Sequence, residues 1–286
     1  MEVLIKKQPM FAPLLNLART ESGTYLAPRS PEVANSMFGG QFLAQCIAAA
    51  TDTVDRDRAI HSLHAYFLRP GDSEEPCELS VATIRDGRSF SHREISAFQD
   101  GKELFRMFGS WNIAESSPEF QGDRMPEVPR PDEVTYTYYQ FCQDQMPDKD
   151  YLATITQRPI DIRYINPPQD RKNRSELENQ LMWIRISDEL PDEPWRHQAA
   201  LAYISDSTLI DHITLPHGMR WMDQDFFGTS LDHTMWFHRP CKATDWVLFD
   251  QKVEWTGAGR GLASAKIWSQ KGELLATCGQ EGLMRF

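Results

Sequence analysis

Apolar and polar positions change rhythm along the chain, and the changes outline its elements. From His61 the alternation has period two. HSLHAYFLRP, CELSVATIR, SFSHREISAFQ and ELFRMFGSW, separated by the turn signals Pro70-Gly71, Asp86-Gly87 and Asp100-Gly101, predict four antiparallel strands. A short strand candidate at Thr24 to Ala27 comes first, and then Gly40 to Val54, apolar on nearly every face, predicts a buried central helix. A second apolar helical segment, His197 to Ile213, reads HQAALAYISDSTLIDHI and sets Asp206 on the face shared by Tyr203, Ala202 and Ala199. Two accounts of that acid are open. Either helix order fails near Ser205 and leaves a polar exit, or a helix interior holds a rigid, partly dehydrated carboxylate.

The second half repeats the first. AYFLRP from Ala65 is matched by MWFHRP from Met235, Gly87-Arg88 by Gly259-Arg260, and GKELFRM from Gly101 by GELLATC from Gly272. The order is kept, at a nearly constant offset of roughly 170 residues, as duplication of one helix-plus-meander unit would leave it. Residues 1–116 are expected to form the first unit and 151–286 the second. Residues 117–150, with Pro118, Pro126, Pro129 and Pro131 in a polar setting, are expected to link them. An insertion of about Asp211 to Thr229 belongs to the second copy alone. The first helix has no carboxylate until Asp52, near its exit, which marks Asp206 as an addition to the scaffold. The simplest arrangement is α+β, a sheet curled around each helix with the two sheets joined edge to edge.

Composition narrows the partners. A net charge of -11 argues against nucleic acid or an anionic membrane, while Arg171-Lys172-Asn173-Arg174 is the densest basic cluster and would suit phosphates. MEVLIKKQPMF lacks a signal-peptide core and no run of 18 apolar residues occurs, so a cytoplasmic place without stable membrane association is expected. Leu283 to Phe286 is not a Ser-Lys-Leu type address. Five scattered cysteines without a C-x-x-C pair indicate neither disulfides nor zinc, and no cofactor or metal is expected. G-x-S-x-G, Walker and H-E-x-x-H motifs are absent, and Gly257-Ala258-Gly259-Arg260 reads as a hairpin turn. His61 and His64, like His233 and His238, are oddly spaced and expected on opposite strand faces, away from any shared metal. His61 opens the strand beside the first helix and is a reserve candidate for acid-base or substrate contact. Gly39 and Gly40 open that helix, where backbone N–H groups favour negative charge and allow close approach.

FGGQ at the first helix, HSLHAYFLRPGD, ALAYISD, SLDHTMWFHRP and the ending GQEGLMR, in order over nearly the whole chain, resemble the acyl-CoA thioesterase II family of the TesB type. The resemblance implies a double hot dog fold and an acyl-CoA substrate. It also implies a catalytic set that falls, position by position, on Asp206, Ser230 and Gln280. Ser230 stands where some members have Thr and keeps the hydroxyl. Thioester hydrolysis needs a water nucleophile, a base and donors for an oxyanion. Burial should raise the pKa of Asp206 and hydrogen bonds from Ser230 and Gln280 lower it, with Gly39 and Gly40 as oxyanion donors. Direct attack by Asp206 to give an anhydride is the alternative chemistry. The rival functions are a hot dog hydratase or dehydratase, resting on His61, and a non-catalytic acyl-CoA binding protein. Hot dog domains commonly associate, so a homo-oligomer, dimer or tetramer, is expected.

Overall fold

The computed structural model describes residues 10–29, 36–145, 158–167, 179–219 and 226–286; the Arg171 to Arg174 cluster lies outside them. The strands are β1 (Ala18–Arg19), β2 (Tyr25–Ala27), β3 (Arg58–Phe67), β4 (Cys77–Asp86), β5 (Phe90–Gln99), β6 (Lys102–Ile113) and β7 (Ile160–Tyr164). They continue as β8 (Gln180–Ile186), β9 (Phe227–Ser230), β10 (Asp232–Phe237), β11 (Val247–Gly257), β12 (Arg260–Ser269) and β13 (Leu274–Arg285). They form one antiparallel sheet in the order β1-β2-β4-β5-β6-β3-β10-β13-β12-β11-β8-β7, with β9 on β13. The meander β4-β5-β6-β3 is answered by β11-β12-β13-β10. Two tight hairpins close on left-handed pairs, Asp100 (φ 48°) with Gly101 (φ 71°) and Ala258 (φ 48°) with Gly259 (φ 73°), whose twist matches that of the strands they join.

The halves meet where β3 pairs with β10. His64 faces Thr234, and these two positions correspond in the repeat, so a local two-fold passes between them. The repeated Arg-Pro motif has a structural use. Leu68 and Arg69 both donate backbone N–H to the carbonyl of Leu104 (2.8 and 3.1 Å), as His238 and Arg239 do to that of Leu275 (2.8 and 3.3 Å). In each copy the arginine then reaches the preceding carbonyl, Glu103 from Arg69 at 2.7 Å and Leu274 from Arg239 at 2.9 Å. The double hot dog architecture expected from the sequence is the one observed.

Helix α1 (Gly39–Thr51) is buried continuously from Gly40 to Ala50, and Leu43 and Ile47, wholly enclosed, each stabilise the fold by roughly 1.5–3 kcal/mol. A short helix α2 (Tyr138–Gln145) follows the Pro-rich stretch, which lies along the second half through Gln121 to Gly272 O (3.1 Å) and Trp183 Nε1 to Pro129 O (2.9 Å). His197 to Ile213 is not one helix. It divides into α3 (Pro194–Ser205), a turn over residues 206–208, and α4 (Leu209–Ile213). Ser, Asp and Thr side chains compete with the helical ladder for backbone groups, and Ser205 Oγ comes within 2.8 Å of Ala202 O. Helix α4 rests directly on the sheet. A Cβ at Gly282 would lie 2.6 Å from Ile210, and one at Gly261 2.8 Å from Ile213. The N-terminal segment is tied to the second half by the Phe11 and Ala12 N–H groups, which donate to the Asp188 carboxylate at 2.9 and 3.3 Å.

Candidate active site

Asp206 is the C-cap of α3 (φ -86°, ψ 0°), not a residue of the helix interior. Helix α1 ends in the same manner on Asp52 (φ -66°, ψ -13°). Each central helix thus has an aspartate at its C-terminal end. What differs is the surroundings. Asp52 is exposed and accepts a hydrogen bond from the Tyr25 hydroxyl at 2.7 Å. Asp206 is 8% exposed and meets the beginning of α1.

That beginning is short of a cap. Phe38 at the N-cap supplies no side-chain bond, so the first N–H groups of α1 need another partner. The Gly40 N–H finds the Asp206 carboxylate. The approach excludes any side chain, since a Cβ at Gly39 would lie 2.6 Å from Asp206 Oδ2 and one at Gly40 2.3 Å from Tyr203 O. Gly39 and Gly40 thus stand at the site, with the Gly40 N–H already engaged by Asp206.

Strand parity on β13 turns Cys278, Gln280, Gly282 and Met284 inward. Gln280 is wholly buried, and its Nε2 donates to Asp206 Oδ1 at 2.6 Å and to Ser230 Oγ at 2.8 Å. Ser230 ends β9, opposite Gly282. Both amide hydrogens are spent on these two oxygens, and Ser230 accepts, leaving its own hydrogen to donate elsewhere. Ser230 contacts Gln280 where the sequence suggested a bond to Asp206. Burial raises the Asp206 carboxyl from 3.8 to about 6, opposed in turn by the Gln280 hydrogen bond, the charge of Arg158 and the Gly40 N–H. Arg158, which no sequence pattern singled out, sits 3.9 Å over the Phe38 ring and lines a narrow crevice with Tyr138, Ile160, Ile162 and Ser207.

His61 is elsewhere. The β3–β6 register shifts between Ile60 and Ser62, and this bulge turns His61 onto the outer face, with Nε2 2.7 Å from Ser110 Oγ and the ring 5.6 Å from that of Phe90. His64 is also outward, against Trp236, so the expected opposite-face placement of this pair fails at the bulge. The hydratase alternative loses the histidine it rested on.

The sheet wraps on two central helices, a double hot dog, and Asp206, Gln280 and Ser230 come together at the exit of one of them. Sequence comparison agrees in both halves. Residues 26–111 match the acyl-CoA thioesterase N-terminal domain and residues 123–284 the acyl-CoA thioesterase C-terminal domain. Human acyl-coenzyme A thioesterase 8 is 36% identical over 262 residues, covering 88% of this chain and 81% of that protein. Acyl-CoA thioesterase 2 of Haemophilus influenzae is 35% identical over 255 residues, covering 87% and 88%. The crystal structure of the acyl-CoA thioesterase II TesB2 from Mycobacterium marinum superposes with a TM-score of 0.78 at 34% identity, covering 96% and 97%. The chain belongs to the acyl-CoA thioesterase II family of the TesB type.

Proposed function

We infer that this acyl-CoA thioester hydrolase works through a water activated by Asp206, with Gln280 holding the base and Ser230 serving the substrate oxygen. The observation that carries this reading is the single amide nitrogen joining a buried carboxylate and a hydroxyl at 2.6 and 2.8 Å. The water oxygen adds to the thioester carbonyl carbon while Asp206 takes a proton. With its pKa at about 6, Asp206 is ionised at neutral pH yet more basic than an exposed carboxylate, which suits a general base. The negative charge developing on the carbonyl oxygen is received by the Ser230 O–H and the Gly39 N–H in the first turn of α1. Collapse breaks the carbon–sulfur bond, the CoA thiolate leaves with the proton returned from Asp206, and the carboxylic acid is released.

Thiol release measured across acyl-CoA chain lengths tests the activity, and Ser230 tests the assignment. Ser230→Ala should lower kcat by roughly 10²–10³-fold, the worth of one oxyanion donor, and Ser230→Thr should retain most of the rate. Equal activity in the alanine variant would remove Ser230 from the chemistry. No helix among the described residues is long and apolar enough to cross a membrane. A cytoplasmic location completes the reading, and the exposed Tyr66 and Trp236 on the outer sheet face support a homo-oligomer; light scattering on the purified protein measures the assembly.

A further inference from the structure

Behind the site lies a histidine that the chemistry above does not use. On β10 the alternation sends His233, Met235 and Phe237 inward, and His233 is completely buried. Its Nε2 is 2.9 Å from the Oγ of Ser205, the residue preceding Asp206. In the β10–β13 ladder Thr234 faces Gly279, which makes His233 and Gln280 the next neighbours across the two strands. Two buried atoms at this point, His233 Nδ1 and Gln280 Oε1, have no hydrogen bond of normal geometry. The amide is nonetheless close enough to favour the protonated ring against the burial that holds His233 down at about 4. The imidazole is therefore neutral at working pH and carries one N–H.

We propose that His233 is a positioning residue that sets which way the Gln280 amide faces: its Nδ1–H holds Gln280 Oε1, and its Nε2 accepts from the Ser205 hydroxyl. Ser205 has one hydrogen and two acceptors within reach, Ala202 O at 2.8 Å and the ring at 2.9 Å. Giving it to the ring satisfies every buried atom of the chain Ser205, His233, Gln280, Asp206. The other tautomer leaves Nδ1 and Oε1 as two bare acceptors side by side. Without the histidine the amide is free to turn, and a turned amide presents Oε1 to the Asp206 carboxylate, acceptor against acceptor. The carboxylate form is then disfavoured. Arg158 and the Gly40 N–H, the other groups acting on Asp206, and the Cys278 thiol that Asp206 in turn raises, are untouched by the change.

The inference rests on the assignment of Asp206 as base, and the test separates the two. Asparagine can place an N–H where Nδ1 stands, glutamine only near Nε2. His233→Leu and His233→Gln should lower kcat about tenfold or more with KM nearly unchanged and move the acid limb of the pH–rate profile up by about one unit. His233→Asn should restore both. An acid limb unmoved in His233→Gln and His233→Leu, or His233→Asn as impaired as His233→Gln, overturns the proposal. Should His233→Leu fail to fold, the Asn and Gln pair decides. The ring tautomer is read without turnover, from nitrogen-15 shifts of the wild-type imidazole. A proton on Nδ1 is expected, and a proton on Nε2 overturns the proposal even if Asp206 proves not to be the base.

Discussion

Replacing Asp206 by asparagine should make the enzyme inactive and more stable at once, with a pH dependence that identifies the cause. The carboxyl is displaced from 3.8 to about 6, so the native state binds its proton more tightly than the unfolded chain does. Stability therefore falls as pH rises between about 4 and 6, and above that range the ionised group costs the fold about 3 kcal/mol. Asparagine avoids the charge and still accepts from Gln280, but its amide meets the Gly40 N–H as donor against donor, returning about 1 kcal/mol. The net expectation for Asp206→Asn is a gain of about 2 kcal/mol at pH 8 and about 0.5 kcal/mol at pH 5. Urea unfolding of the two proteins at both pH values measures the difference, and thiol release should fall by roughly 10²–10⁴-fold. A stability gap that does not change with pH, or a variant less stable than wild type at pH 8, would refute the claim that desolvation sets this pKa.

Gly40→Ala carries the opposite sign from helix propensity, which alone would favour alanine by about 1 kcal/mol. The new Cβ would meet Tyr203 O at 2.3 Å and the Phe38 ring at 2.5 Å, so α1 must retreat by about 1 Å; a net loss of about 1–3 kcal/mol in urea unfolding and a roughly hundredfold lower kcat are expected. His61→Ala should leave kcat/KM within about twofold and cost under about 1.5 kcal/mol, the worth of its bond to Ser110; a larger loss in thiol release would place it at the chemistry after all.

The strand order of each half was legible because AYFLRP and MWFHRP, with the turn pairs after them, fix both the meander and its duplication. Asp206 was legible as an acid on an apolar face. The break in its helix was one of two open readings, since SDST is compatible with a helix exit and with a polar patch. Other features have no local signature. The bulge that turns His61 outward depends on which residues of β6 it opposes, and the docking of Asp206 on Gly40 joins positions far apart in the chain. His233 could have been found, because D-H-T-M-W-F alternates and sets it on the same face as Met235 and Phe237. Its apolar neighbours on that face are a stronger clue than its spacing from His238.

The helix-end contact also bears on how many sites one chain can support. Helix α1 runs out at Asp52, and the helix packed against it begins with Pro194, which has no N–H to offer a carboxylate. Gly109 stands where Gln280 has its counterpart, and Trp111 closes over it, 2.6 Å from where a Cβ would lie. On the proposed assignment of Asp206 as base, the duplicated molecule works as a heterodimer on one polypeptide: one half lends the head of its helix, the other lends the acid, and turnover requires both to have docked. On the same assignment a folding intermediate with one half formed is expected not to hydrolyse acyl-CoA, so recovery of activity on refolding should report assembly of the two halves and not the folding of either.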